Sequence, residues 1–372
     1  MIALFLATSG LLLFTWIGYP AVVRLLAAFA GSRPTRPDES WPLVSVVVAT
    51  RDSDAVILAR VQDILSGSYP TDRLEVIVAL DPRRDPRQLL APLPGPPGAV
   101  RTVVGDEPGG KAAALNAAVR DAQGAVLAFT DAGQRFAPDT IMRLVAALQA
   151  DSRLAAVSGA LTTRAVAAGR VSVADLYWRY ERGLRAAEAR VHSSIGVTGA
   201  VYAMHRHLWQ PLPPGLILDD LYTPMHAVLR GYRIGFEPDA TATDDRRFSP
   251  QDEYRRKVRT LTGVLQLCAW LPGVLAPWRN PVWIQFVSHK LLRLLTPWLA
   301  IVAGGSALAW LTSAGDAGSL RAVAGVAALA AIVIVLGVRR LREAAWGVLL
   351  MQAAIVRATL NAARGEWDVW RR

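Results

Sequence analysis

One cysteine, Cys268, stands among 372 residues. That excludes an internal disulfide and any zinc site built on paired cysteines. Histidine is nearly as scarce. Its five copies lie at 192, 205, 207, 226 and 289. None falls in a His-Glu-x-x-His pattern, and His205-Arg-His207 alone is poor metal spacing. No internal repeat is visible. Acidic residues are in deficit, with 30 Asp and Glu against 41 Lys and Arg, a formal charge of +11 and a pI of about 10.4. This balance favours anionic partners: nucleic acid, anionic lipid or phosphorylated substrates. The chain is 52% hydrophobic with a mean hydropathy of +0.28, high for a soluble enzyme. Its length allows one large domain or two smaller ones.

Charge is absent altogether from Ile2 to Val23, a run long enough to cross a hydrocarbon core of about 30 Å. A cleaved leader is the competing reading, since Ala28-Phe29-Ala30 resembles a cleavage site. Against it, no basic residue precedes the run, and the run is too long for a leader's apolar core. Arg24, Arg33 and Arg36 follow, which places residue 31 onward on the cytoplasmic side. Residues 1–30 are thus expected to form an anchor. Toward the other end, Leu294 to Leu311 and Ala322 to Val338 are apolar enough to span, joined by the loop "TSAGDAGS". Arg339, Arg340 and Arg342 mark a cytoplasmic return. The run Ala344 to Val356 is short, so it either spans or lies in the interface. The tail "ARGEWDVWRR" is basic, which favours a cytoplasmic end. Residues 261–288 begin with "LTGVLQLCAWLPGVLAPW", a Trp-rich stretch broken by Pro272. It reads as an interfacial helical segment ahead of the membrane helices of 289–372, with a buried soluble helix as the alternative.

Between residues 40 and 260, past the linker "GSRPTRPDESWP", the pattern changes. "LVSVVVAT", "LEVIVAL", "AVRTVV" and "AVLAFT" read as strands. Helical segments lie between or after them, at Ala55 to Leu65, Lys111 to Ala122 and Pro138 to Leu148. The alternation predicts an α/β domain with a mostly parallel sheet. Asp81 and Asp131 each follow an apolar strand. Ligands of such sheets bind beyond the carboxyl ends of the strands, so both acids are placed on one ligand-facing edge.

"GDEPGGKA", residues 105–112, nearly matches a P-loop, and a nucleotide hydrolase has to be weighed. However, Ala112 replaces the magnesium-binding hydroxyl, and Pro108 removes an amide from the phosphate cradle. Further on, Asp219-Asp220 opens a predicted helix, Leu221 to Leu229, that Gly231 ends before a short strand "RIGFEP". A helix N-cap accounts for one of these carboxylates. Two in succession repel each other unless one holds a proton, a cation or a hydroxyl. In "QDEYRRKVRTLTG", Arg256 and Arg259 share a helical face. They form either a lipid-headgroup surface or a clamp for a diphosphate.

Together these motifs resemble membrane-bound glycosyltransferases of family 2, which have the GT-A fold. The resemblance covers nearly the whole chain. "VSVVVATRDSDAVI" is similar to the first strand and turn, with Arg51-Asp52 where Asn-Glu is usual. Asp81 matches the first acid of the strand-terminal Asp-Gly-Ser. "GGKAAALNAAV" matches the Lys-bearing helix start, which also accounts for the false P-loop. "FTDAG" matches the Asp-x-Asp motif with Gly133 for its second acid, and "IGVTGAVYAMHR" resembles the glycine-rich acceptor segment. "LDDLYTPMHAVLRGYRIGFEPDA" matches the segment carrying the base. "RKVRT" stands for Gln-x-x-Arg-Trp, with Arg256 for Gln and Thr260 for Trp.

The resemblance implies an inverting transfer from a nucleotide-diphosphate sugar. Asp52, Asp81 and Lys111 would serve the nucleoside side. Asp131 would hold a divalent metal, Mg2+ or Mn2+, on the diphosphate. Asp220, beside Asp219, would be the general base. Arg256 and Arg259 would offset the leaving group's charge. The acceptor would be lipid-linked or a growing glycan in cell-envelope or exopolysaccharide synthesis, with membrane lipid as a partner and no role for nucleic acid. Thr260 in place of Trp favours single or few transfers over long-chain synthesis. A non-catalytic relative that binds a glycan or a protein is the other reading, against which Asp81, Lys111, Asp131 and Asp220 are all retained.

Overall fold

The computed structural model describes residues 1–31, 40–83, 93–163, 173–246, 249–313 and 318–367. Arg33, Arg36, most of the linker before residue 40, the centre of the loop at 312–319 and the end of the basic tail lie outside the described residues. The chain divides into two compact units. One comprises Val23–Arg247 and Gln266–Trp283. The other comprises Met1–Val22, Phe248–Leu265 and Ile284–Arg372.

The chain begins with α1 (Ile2–Phe29). The α/β unit then runs β1 (Val44–Thr50), α2 (Asp54–Leu65), β2 (Leu74–Leu80), β3 (Val100–Val104), α3 (Lys111–Asp121), β4 (Val126–Thr130), β5 (Gln134–Phe136), α4 (Thr140–Gln149), β6 (Leu154–Thr163), α5 (Val173–Val191), β7 (Tyr202–His205), α6 (Asp219–Val228) and β8 (Arg233–Asp244). The eight strands form one sheet in the order β3-β2-β1-β4-β7-β6-β8-β5. The first four pair in parallel, as the alternation predicts. The second half is mixed: β7 is antiparallel to both β4 and β6, β8 is parallel to β6, and β5 is antiparallel to β8. Every residue of β1 and β4 is buried, because helices cover both faces of the parallel half and β-branched side chains fill the space between. Val46, Val48, Val76, Val78, Ile57 and Val61 form the heart of this core. Each fully buried aliphatic side chain contributes about 1.5–3 kcal/mol.

Three strands, β5, β6 and β7, were not marked by strong apolar runs. β8 is also longer than "RIGFEP": it continues through "DATATD", where alternate Ala240 and Ala242 are buried against β6 and β5.

The other unit holds the N-terminal part of α1 and most of the C-terminal helices. In chain order these are α7 (Pro250–Trp270), α8 (Trp283–Leu294), α9 (Thr296–Thr312), α10 (Gly318–Gly337) and α11 (Arg339–Ala363). α7 is one continuous helix through residue 260, where composition drew a boundary. Among the described residues, Ile2–Phe29 and Leu341–Ala363 are long and apolar enough to cross a membrane. α8 and α9, bent by 60°, pass the same test as a pair. The run Ala322 to Val338 coincides with α10, whose side chains fall partly outside the described residues. Leu6, Ile17, Ile301, Leu308 and Leu349 are exposed, as lipid-facing side chains are in the absence of a bilayer. The Arg293 guanidinium stacks 4.7 Å over Trp16, and Thr296 Oγ1 donates to Gln352 Oε1 at 2.9 Å. These features are consistent with an integral membrane protein.

Candidate active site

Asp52, Asp81 and Asp131 follow β1, β2 and β4, three adjacent strands of parallel direction. They therefore line the carboxyl edge of the sheet, as the sequence predicts for Asp81 and Asp131. Each is held differently. Asp52 accepts a hydrogen bond from Thr50 Oγ1 at 2.9 Å and is exposed. Asp81 is buried. It accepts from Arg83 Nε and Nη2 at 3.0 and 2.8 Å, from the Arg83 amide at 3.1 Å and from the Gly110 amide at 3.0 Å. Burial pushes its pKa up, but the hydrogen bonds from Arg83 and Gly110 outweigh this and hold it down at about 2. Asp81 is thus a carboxylate at every working pH.

The glycine turn before α3 permits this contact. Gly110 has φ +101° and Gly109 φ +83°, where a side chain is strained. A Cβ on Gly109 would also come within 2.7 Å of Asp81 Oδ1. The Gly110 amide is thus spent on a carboxylate rather than a phosphate. That removes the P-loop reading on geometry as well as on composition.

Lys111, the first residue of α3, points from this turn between two acids. Its Nζ lies 3.3 Å from Asp131 Oδ1 and 3.4 Å from Asp219 Oδ2. Burial disfavours its charge, but Asp131, Asp219 and Asp220 outweigh it and raise its pKa above the usual lysine range. Asp219 and Asp220 occupy the first turn of α6, after an N-cap at Leu218. Neither acid is the N-cap, and both sit where the helix dipole favours negative charge. Asp219 is buried and tied to Lys111. Asp220 is half-exposed, and its backbone oxygen accepts from Val197 at 3.0 Å. Its carboxylate lies over Gly199: a Cβ there would sit 3.3 Å from Oδ2. The glycine-rich segment "IGVTGAV" is thus brought against Asp220.

Arg256 and Arg259 lie on α7 in the other unit, three residues apart on one helix. The structure brings together Asp52, Asp81, Lys111, Asp131, Asp219 and Asp220 within the α/β unit.

Three residues escaped the sequence reading. Arg60 on α2 is fully buried, donates to Thr130 Oγ1 at 2.7 Å, pairs with Asp63 and stacks 4.0 Å over Phe136. Desolvation lowers its pKa to about 10. It secures the end of β4 immediately before Asp131. Arg83 clamps Asp81, as above. Arg246 clamps Asp244 in the same way, Nε to Oδ1 at 2.9 Å and Nη2 to Oδ2 at 2.8 Å. Both clamps have the spacing Asp-x-Arg, which recurs at Asp151 and Arg153. That spacing was the available signal.

Among the described residues no three His, Cys, Asp or Glu side chains gather as metal ligands. Asp131 offers one carboxylate, Gly133 offers none, and Lys111 already engages one of the Asp131 oxygens. This donor set fits a Mg2+ or Mn2+ ion that arrives with a diphosphate, because such ions use one or two carboxylates, substrate phosphates and waters. It does not fit a resident ion in a protein cage.

A family model described as "Glycosyltransferase like family 2" matches residues 42–263. The chain belongs to this glycosyltransferase family. Among solved structures, a mannosyltransferase, PcManGT from Pyrobaculum calidifontis in complex with GDP-Man and Mn2+, is similar over 97% of this chain and 99% of its own, with 23% identity and a TM-score of 0.69. That likeness shows a shared GT-A fold. GalNAc-T7 with UDP, GalNAc and Mn2+ matches over 62% of this chain and 49% of its own, at 13% identity and a TM-score of 0.41. No curated protein matches the sequence significantly.

Proposed function

We propose that this family 2 glycosyltransferase moves a hexosyl or N-acetylhexosaminyl group, with inversion, from a nucleotide-diphosphate sugar to a lipid-linked or glycan acceptor. The observation that carries this is the difference in setting between two adjacent acids. Lys111 holds Asp219, while Asp220 stays half-exposed against Gly199.

The donor lies along the carboxyl edge, with Asp52 and Asp81 on the nucleoside side; Lys111, expected beside them from the resemblance, is read near the phosphates instead, because its Nζ pairs with Asp131 at 3.3 Å. The acceptor hydroxyl gives its proton to the Asp220 carboxylate as its oxygen attacks the anomeric carbon. The bond from that carbon to the diphosphate oxygen breaks, and the nucleoside diphosphate leaves with the electron pair. Attack from the opposite face inverts the configuration. Asp131 would hold the divalent metal, which when bound supplies positive charge to the diphosphate. Arg256 and Arg259 enter this reading through the family resemblance alone. The positive residues flanking the apolar helices support a catalytic domain on the cytoplasmic face of the plasma membrane. The apolar helices favour a lipid-linked or envelope-polysaccharide acceptor.

The test is calorimetric titration of the detergent-purified chain with GDP- and UDP-sugars, with and without Mn2+, followed by transfer assays with radiolabelled donor. Expected are binding of one donor class and Mn2+-stimulated transfer, with the stimulation lost in Asp131→Asn. Unchanged metal-dependent transfer in that variant would overturn the assignment of Asp131. A ladder of long products would overturn the single-transfer preference drawn from Thr260.

A further inference from the structure

Gly133 stands where the family motif carries its second acid, and the space beside it is filled. A Cβ built on Gly133 would lie 2.9 Å from Arg246 Cζ, 2.9 Å from Nε and 3.0 Å from Nη1. A carboxylate at position 133 and this guanidinium cannot both keep these places.

The arginine is fixed rather than loose. Asp244, at the end of β8, takes its Nε and Nη2, and the Arg246 amide donates to Asp244 Oδ1 at 3.0 Å. Asp244 is itself held by Gln134, whose Nε2 donates to Oδ2 at 3.0 Å. Gln134 is the residue next to Gly133. The guanidinium plane is therefore set from both β5 and β8. Asp131 and Asp52 are near enough to add to the stabilisation of its charge. Asp244 offsets the net charge and fixes the plane of the guanidinium, and a planar, oriented guanidinium is the form in which arginine recognises phosphate.

We infer that Arg246 is a diphosphate-binding residue of the donor site, taking over part of the role that a metal held by two acids would fill. This rests on the transferase reading and goes beyond it: nucleoside diphosphates bind this chain through Arg246 even when no divalent ion is present. With Lys111 beside Asp131 and Arg246 over Gly133, the phosphates meet fixed cationic groups on both sides of the single carboxylate.

The experiment is calorimetric titration of the full chain in detergent with UDP, GDP, dTDP and CDP, in EDTA and then with Mn2+. Wild type is expected to bind one of them in EDTA. Arg246→Ala is expected to weaken that binding by roughly tenfold or more, the weight of one charge-assisted hydrogen bond. Arg246→Lys, which keeps the charge but loses the fork, should fall between. Arg246→Gln, with its thermal midpoint recorded, serves where Arg246→Ala does not fold. Combining Gly133→Asp with Arg246→Ala should make binding depend on Mn2+. Wild-type binding in EDTA that is unchanged in the folded variants overturns the inference, as does wild-type binding seen only with Mn2+. Both outcomes leave the transferase reading standing. If no nucleoside diphosphate binds with or without Mn2+, both fall together.

Discussion

Lys111 Nζ lies 3.4 Å from Asp219 Oδ2, and this contact separates two neighbouring carboxylates that look equivalent in the sequence. Asp219 is buried against a cation, and Asp220 is half-exposed. Asp220→Asn should therefore lower kcat by about 10²–10⁴-fold, the ordinary weight of a general base, with donor affinity kept. Asp219→Asn should cost roughly tenfold in rate, and it should alter donor affinity through Lys111. Single-turnover kinetics beside calorimetry reads both. Equal losses of rate in the two variants would contradict the division of roles.

Gly199 tests the same acid by space alone. A methyl group there meets Asp220 Oδ2 at 3.3 Å, so the carboxylate must move by a few tenths of an ångström. Gly199→Ala should reduce kcat by about tenfold with little change in donor affinity, since small misplacements of a reacting group are costly. A variant that loses donor binding instead would place the Asp220 carboxylate on the donor.

The parallel half of the sheet and its edge acids were legible because two rules coincide there. Strands buried on both faces read as unbroken apolar runs, and an acid that ends such a run stands out. Asp81 and Asp131 were found in this way. The mixed half was not legible, because β5 and β7 are short and their partners come from distant parts of the chain. Nor could adjacency in sequence tell Asp219 from Asp220. That difference is made by Lys111, which arrives on another helix more than a hundred positions earlier. Arg60 was hidden inside an apolar helix, where its partners Asp63 and Thr130 are set only by the fold.

Asp81 gives the site an acid-sensitive component. Its folded pKa, about 2, lies below the ordinary carboxylate value of 3.8. Its contribution is therefore complete above that ordinary value and is lost as pH falls toward 2. After allowance for solvent screening it amounts to about 1–2 kcal/mol. The difference in thermal midpoint between wild type and Asp81→Asn should be constant above about pH 5 and shrink below it. A difference that grows on acidification would contradict the sign.

Arg60 tests the support beneath β4. Arg60→Met leaves Asp63 near the core without its cation, and breaking a buried pair in this way costs about 3–5 kcal/mol. Asp63 also accepts the Phe136 amide at 3.2 Å, so part of its charge stays solvated by the backbone. Arg60→Met with Asp63→Leu should recover part of the loss, because no buried charge then remains. The measurement is thermal unfolding in detergent. A double variant less stable than the single one would show that the pair itself, rather than an orphaned charge, was being measured.

The position of β4 also bears on synthesis. One edge of β4 is closed by β1, which precedes it in the chain. The other waits for β7, which begins at Tyr202, and Asp219 follows later still. While the intervening residues leave the ribosome, the central strand presents an open row of amides and carbonyls. The carboxyl edge thus stays incomplete until the chain has passed Asp219. Ribosome-bound chains stopped before β7 should be the most prone to aggregate and should gain protease resistance only once that strand has emerged.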